Sequence, residues 1–126
     1  MAVKYLSEEW ADEFNTRAAA GNTAPYRGKK AVILNVVADA PDGEVRYAIK
    51  FDGENASIVL GDVPDPEVTM SQGYETGAAI NRGEMDGQKA FMQGKVKISG
   101  KMIKMMQLRG ALSEVSNVLS TIDTEY

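Results

Sequence analysis

The chain contains no cysteine and no histidine. The first absence excludes disulfides, thiolate nucleophiles and thiolate metal ligands. The second removes the commonest general base, every Ser-His-Asp arrangement and the usual imidazole ligand of zinc. Carboxylates, tyrosines, lysines and serines are left for chemistry. The expectation therefore shifts from an enzyme to a binding protein, with no catalytic residue, no cofactor and no metal assigned. Long apolar runs are missing too. The longest, Ala31 to Ala38, is interrupted by Asn35, and a spanning helix needs about 20 apolar residues. No charged-then-apolar leader opens the chain, because Lys4 is soon followed by Ser7-Glu8-Glu9. Its last residues, Asp123-Thr124-Glu125-Tyr126, are not a peroxisomal Ser-Lys-Leu address. A cytoplasmic protein is expected.

What is present fits one folded domain over residues 1–126. With 44% hydrophobic and 25% charged residues, the chain has the composition of an ordinary globular domain. Its net charge of −4 is unevenly spread. Residues 1–81 hold 7 basic and 13 acidic side chains, residues 82–109 hold 7 basic and 2 acidic, and residues 110–126 hold 3 acidic and no basic ones. A basic island thus sits in an acidic chain. It reads either as attraction to anionic headgroups or as Lys95, Lys97, Lys101 and Lys104 forming the solvated faces of a strand and a helix. Nucleic acid is excluded as a partner by the acidic total and by the lack of interleaved basic and aromatic residues.

Local patterns predict an α+β arrangement. Ser7 can cap a helix in which Trp10, Phe14 and Ala18 recur at helical spacing, ended by Gly21 and Asn22. Ala31–Ala38 is rich in β-branched residues. After the turn Pro41-Asp42-Gly43, Val45, Tyr47, Ile49 and Phe51 alternate with Arg46, Ala48, Lys50 and Asp52, the period of a half-buried strand. Asp52-Gly53-Glu54-Asn55 turns again into a third strand over Ser57–Leu60. The three make an antiparallel meander with one face buried. A break at 61–66 precedes a short strand at Val68–Met70. Ser71 is then expected to cap a helix bearing Tyr74, Ala78 and Ile80, in which Gly73 and Gly77 either allow close packing or weaken the helix. Asp86 caps a short helix over 87–93, Lys95–Ser99 is a strand with Val96 and Ile98 on one face, and Gly110 punctuates. The last helix carries Leu112, Val115, Leu119 and Ile122 on one face.

Five of the seven methionines lie between Met85 and Met106. Methionine is flexible and polarizable, so it packs against shapes that vary. Met102, Met105 and Met106 fall at i, i+3 and i+4, with Ile103 alongside. The stripe reads as the lining of an apolar ligand site or as gap-filling in a core. Short, glycine-interrupted, Met-rich helices over one sheet face form a cover that can leave a dry apolar cavity.

The run Gln88-Lys89-Ala90-Phe91-Met92-Gln93-Gly94-Lys95-Val96-Lys97-Ile98-Ser99-Gly100 resembles the sterol carrier protein two family. That family reads glutamine-x-alanine-phenylalanine, a large apolar residue, then a glycine-lysine strand closed by glycine. Val68-Thr69-Met70-Ser71 resembles its strand running into a helix cap. The resemblance extends from about Val32 onward and is sharpest over 68–108. The chain departs at Gln72-Gly73, where the family has acidic residues, and at Gly87, where it has proline. The resemblance implies a single, mostly antiparallel five-stranded sheet covered by short helices. It also implies an apolar tunnel between the sheet and the C-terminal helices, and a non-enzymatic intracellular carrier of a sterol, fatty acid or fatty acyl-CoA. By position, Tyr47, Ile80, Gln88, Phe91, Met92, Met102, Ile103, Met105, Met106 and Leu112 would contact the lipid. The implied partners are that lipid and, transiently, anionic membranes or lipid-metabolising enzymes.

Two other classes compete. A ketosteroid-isomerase-like enzyme would need a carboxylate of raised pKa beside tyrosine donors, yet no Asp or Glu lies within an apolar run. A docking or dimerisation module would use the apolar stripe of the last helix, which more simply closes the domain's own core.

Overall fold

The computed structural model describes residues 2–126. The Ser7 side chain accepts the Trp10 N–H at 3.2 Å and so caps α1 (Glu8–Ala20), with Glu8 and Glu9 in the first turn where the helix dipole favours acids. Trp10, Ala11, Phe14 and Ala18 form its buried stripe. Gly21 closes it by donating to the Arg17 carbonyl. A single 3-10 turn, Ala24–Tyr26, leads into the sheet.

The meander forms as the alternation predicts. β2 (Lys30–Val37), β3 (Val45–Asp52) and β4 (Ala56–Leu60) pair antiparallel in chain order. β5 (Val68–Gln72) then lies parallel to β2, and β6 (Val96–Gly100) antiparallel to β5, for a sheet order β4-β3-β2-β5-β6. One parallel pair in five strands makes the sheet mostly antiparallel, as expected. Ile58, Ile49, Ile33 and Val68 stand in register across four strands and join the buried residues of α1 in one core. The Asp52 carboxylate accepts the Asn55 and Glu54 amides at 2.7 and 2.9 Å, which holds its pKa below the usual range.

The chain departs from expectation after β5. Ser71 does not cap a helix. It lies inside the strand, in register with Val36 on one side and Lys97 on the other. A strand paired on both sides satisfies its backbone more fully than a local cap would, so β5 runs on to Gln72. α2 (Tyr74–Asn81) is capped instead from a distance, with the Tyr74 N–H donating to Asp39 Oδ1 at 2.6 Å. Gly77 serves close packing, since a Cβ there would stand 2.8 Å from the Tyr5 hydroxyl.

Asp86 caps α3 (Gly87–Met92) by accepting the Gln88 N–H at 2.8 Å, as its position predicts. Gly100 closes β6 with φ of +105°, where a Cβ would collide with the Glu67 carbonyl oxygen. α4 (Met102–Gln107) and α5 (Arg109–Ser120) follow. Gly110 does not punctuate. It lies in the first turn of α5, and the break falls at Leu108, which is fully buried. Packing of that side chain sets the bend, and a glycine in a first turn costs the helix little. The buried stripe of α5 is Ala111, Val115 and Leu119, continued by Ile122 beyond the helix, while Leu112 is only half-buried. Two short strands not foreseen from the sequence, β1 (Val3–Lys4) and β7 (Thr124–Glu125), pair in parallel near the two ends of the chain.

Candidate functional site

The ten residues singled out above divide sharply by position. Tyr47 sits mid-strand in β3, buried, with its ring edge-on to Trp10 at 5.3 Å. Burial pushes its phenol pKa up. Met105 and Leu112 are half-buried and packed against the core, and Ile80 on α2 is half-buried. Gln88 is exposed and accepts a hydrogen bond from Arg109 Nη2 at 2.8 Å. That bond ties the start of α3 to the start of α5. The remaining five are among the most exposed large apolar side chains: Met92 at 77%, Ile103 at 74%, Met106 at 72%, Met102 at 43% and Phe91 at 38%.

Local chemistry explains the division. α3 is one turn and a half of helix, and only Ala90 faces inward. α4 buries none of its residues completely. Its methionine stripe straddles the boundary, with Met105 turned toward the core and Met102 and Met106 turned outward. Few ties hold α4 down. The Lys101 N–H donates to the Glu67 carbonyl at 2.9 Å, and Lys104 Nζ lies 3.6 Å from a Glu67 carboxylate oxygen. Leu108 anchors the far end.

Of the sheet floor on this side, sequence reasoning named Tyr47 as a ligand contact but not Met70 or Ile98. Met70 and Ile98 face one another across β5 and β6, half-buried against the core. Asn35 and Tyr47 continue the same row across β2 and β3. The alternation of β5 and β6 carries the signal for Met70 and Ile98, once the register is known. Asn35 is visible in the sequence as the polar break in an apolar run. It is 2% exposed, and its Nδ2 donor has no partner among the described residues. Gln72 Oε1, on the neighbouring strand, is likewise without one. Buried amides left unpaired are costly and uncommon.

Among the open grooves of the surface, one of about 400 Å³ lies beside Arg17, Gly21, Asn117 and Val118, and another of about 340 Å³ beside Asn81, Glu84, Ser120 and Tyr126. Neither is lined by any of the ten residues. Among the described residues no carboxylate is buried, the buried polar side chains being Asn35, Gln72 and Asn81. The steroid-isomerase reading therefore finds no enclosed carboxylate among the described residues. No cluster of His, Cys, Asp and Glu suited to a metal occurs among the described residues, and no described helix is long and apolar enough to cross a membrane.

Comparison with known proteins gives the fold independent support. The chain is similar to a crystal structure of sterol carrier protein 2, with a TM-score of 0.77 and 15% identity over 94% of this chain and 99% of that one. It is similar to the palmitated SCP2L2 of Aedes aegypti, with a TM-score of 0.59 and 18% identity over 94% and 95% of the two chains. It is also similar to part of the inverting sec-alkylsulfatase Pisa1 of a Pseudomonas species, with a TM-score of 0.60 and 20% identity over 93% of this chain but 16% of the sulfatase. No curated protein matches the chain in sequence. The sequence pattern of the SCP-2 sterol transfer family matches residues 12–113, which is most of the chain, and the protein belongs to that family.

Proposed function

We propose that residues 1–126 act as a single lipid-binding domain, a non-enzymatic carrier working in the cytoplasm. It takes a sterol, a fatty acid or a fatty acyl-CoA into an apolar tunnel between the sheet and the C-terminal helices. The family match over residues 12–113 is the observation that carries this reading. The palmitated neighbour favours a fatty acyl chain among the three. The inner wall of the tunnel is assigned to Tyr47, Ile80, Met105 and Leu112, with Met70 and Ile98 as its floor. Gln88, Phe91, Met92, Met102, Ile103 and Met106 belong to the cover through which the ligand enters. Transient contact with anionic membranes or lipid-metabolising enzymes supplies and collects the ligand.

The energetics permit this. Each buried methylene contributes roughly 0.8 kcal/mol, so about twelve supply roughly 10 kcal/mol. Association costs several kcal/mol of that, and micromolar affinity needs about 8 kcal/mol net. A site of this kind selects by volume and length, because a single methylene discriminates weakly. Met70, Ile98 and Met105 are half-buried against the core, so ligand enters as α4, with no fully buried residue, moves aside.

Titration with a fluorescent fatty acid or sterol tests the proposal. Saturable binding in the micromolar range is expected, together with lipid co-purifying with the protein from cells in native mass spectrometry. Absence of saturable binding up to high micromolar ligand, with no lipid carried through purification, would sink it.

A further inference from the structure

We infer that the outer face of α3 and α4 is a docking surface for an anionic lipid bilayer. This rests on the carrier reading above and specifies where the carrier meets its source of ligand. Phe91 and Met92 on α3 and Met102, Ile103 and Met106 on α4 all point outward. The Gln88 to Arg109 hydrogen bond ties the start of α3 to the start of α5, two residues beyond the end of α4. A monomeric domain rarely leaves so many large apolar side chains exposed on two such short helices without an occupant.

The charges name the occupant. Among the described residues, Lys89, Lys95, Lys97, Lys101 and Arg109 have no carboxylate partner, whereas Arg82 and Lys104 do. Lys89 lies on α3, Lys95 beyond its end, Lys101 at the start of α4 and Arg109 at the start of α5. Unpaired cations therefore frame the exposed apolar side chains. This is the arrangement of an interfacial amphipathic element, in which apolar side chains enter the acyl boundary and basic ones reach lipid phosphates. A second copy of the chain is disfavoured, because it would bring two basic frames together. A fluid acyl layer also demands no shape complementarity, which suits flexible methionines better than a sculpted protein partner does. The acidic stretches 1–81 and 110–126 repel the same surface, so the field orients the molecule with α3 and α4 toward the bilayer. In that pose α4 lies between the acyl layer and the sheet floor of Met70 and Ile98, and displacing it, Met105 included, opens that floor toward the membrane.

The experiment measures co-sedimentation of the full chain with vesicles of phosphatidylcholine, alone or mixed with phosphatidylglycerol, without added ligand. Partition onto the anionic vesicles only is expected, weakening as salt rises. The triple variant Lys89→Gln, Lys95→Gln, Lys101→Gln should lose about a hundredfold at low salt. The charge-matched control Arg27→Gln, Lys29→Gln, Lys30→Gln should lose far less. Met92→Gln with Ile103→Gln should lose about tenfold or more, with circular dichroism and melting temperature unchanged because both side chains are exposed. No partition of the wild type onto anionic vesicles would overturn the inference. So would equal losses in the two triple variants, or a wild-type dimer in sedimentation velocity that Ile103→Gln dissociates. Ligand titration without vesicles separates the two proposals: binding without vesicle partition refutes the docking face alone, and partition without ligand binding refutes the carrier alone.

Discussion

One sheet face carries two covers of opposite character. Over β3 and β4, α1 spans 13 residues and buries four of them, with Trp10 and Phe14 fully enclosed. The Asn15 side chain adds a pair of hydrogen bonds to the Ile58 backbone, at 2.7 and 3.0 Å. Over β5 and β6, α3 buries only Ala90 and α4 buries nothing completely. The same apolar content that closes the first end is turned outward at the second. Burial of large side chains is the dominant stabilising term, so the α1 end is the rigid frame of the domain. The α3–α4 end gives up that stabilisation and opens at smaller cost, which is what the proposed ligand entrance requires.

The contrast is most directly broken at Phe14. Phe14→Ala should cost about 3–5 kcal/mol in chemical denaturation, as for any large ring removed from a closed core. A loss below about 1 kcal/mol would mean that the α1 end is as soft as the other.

Alkaline pH probes the same rigid end. Burial raises the phenol pKa of Tyr5 and of Tyr47, and burial with the charge of Glu114 pushes Tyr26 up to about 12. In the unfolded chain these groups ionise near 10. Above that pH the unfolded state holds fewer protons than the folded one, so stability falls as pH rises. Below it the three groups leave stability independent of pH. Each phenol still protonated in the fold should remove about 1.4 kcal/mol per pH unit above pH 10. Denaturation midpoints across pH 9 to 12 would show the slope, and a flat profile would put these phenols in contact with solvent.

At the open end, Met105→Ala should cost less than about 2 kcal/mol, below the usual range for a tightly packed core site, and should shift ligand preference toward bulkier lipids. A larger loss with unchanged ligand selectivity would make Met105 ordinary core and erase the difference between the two ends. The smallest effect belongs to Ile103→Ala, expected within about 0.5 kcal/mol of wild type because its side chain meets solvent. A loss above about 1 kcal/mol in the same denaturation series would show that α4 is held more firmly than its exposure indicates.

Much of this was legible in the residues alone. Ser7 and Asp86 cap their helices because an N-cap needs only a short side chain and amides two or three residues on. Val45 to Phe51 form a strand because a period of two leaves no other way to bury one face. The absence of His and Cys, the family-like run from Gln88 to Gly100 and the basic island were fully readable as text. Interactions between distant segments were not. Ser71 looked like a cap because nothing nearby reveals that β5 is flanked by β2 and β6, nor that Asp39 reaches the Tyr74 amide from 35 residues away. Gly110 looked like a stop because the burial of Leu108 cannot be counted from its neighbours. The helical spacing of Met102, Met105 and Met106 placed them on adjoining positions of one helix, but spacing alone does not say which side of that stripe meets the sheet. Local pattern is set by backbone geometry, which each short segment carries with it. Which apolar side chains are enclosed and which are left facing water depends on how many other segments arrive above them, and only the folded chain decides that.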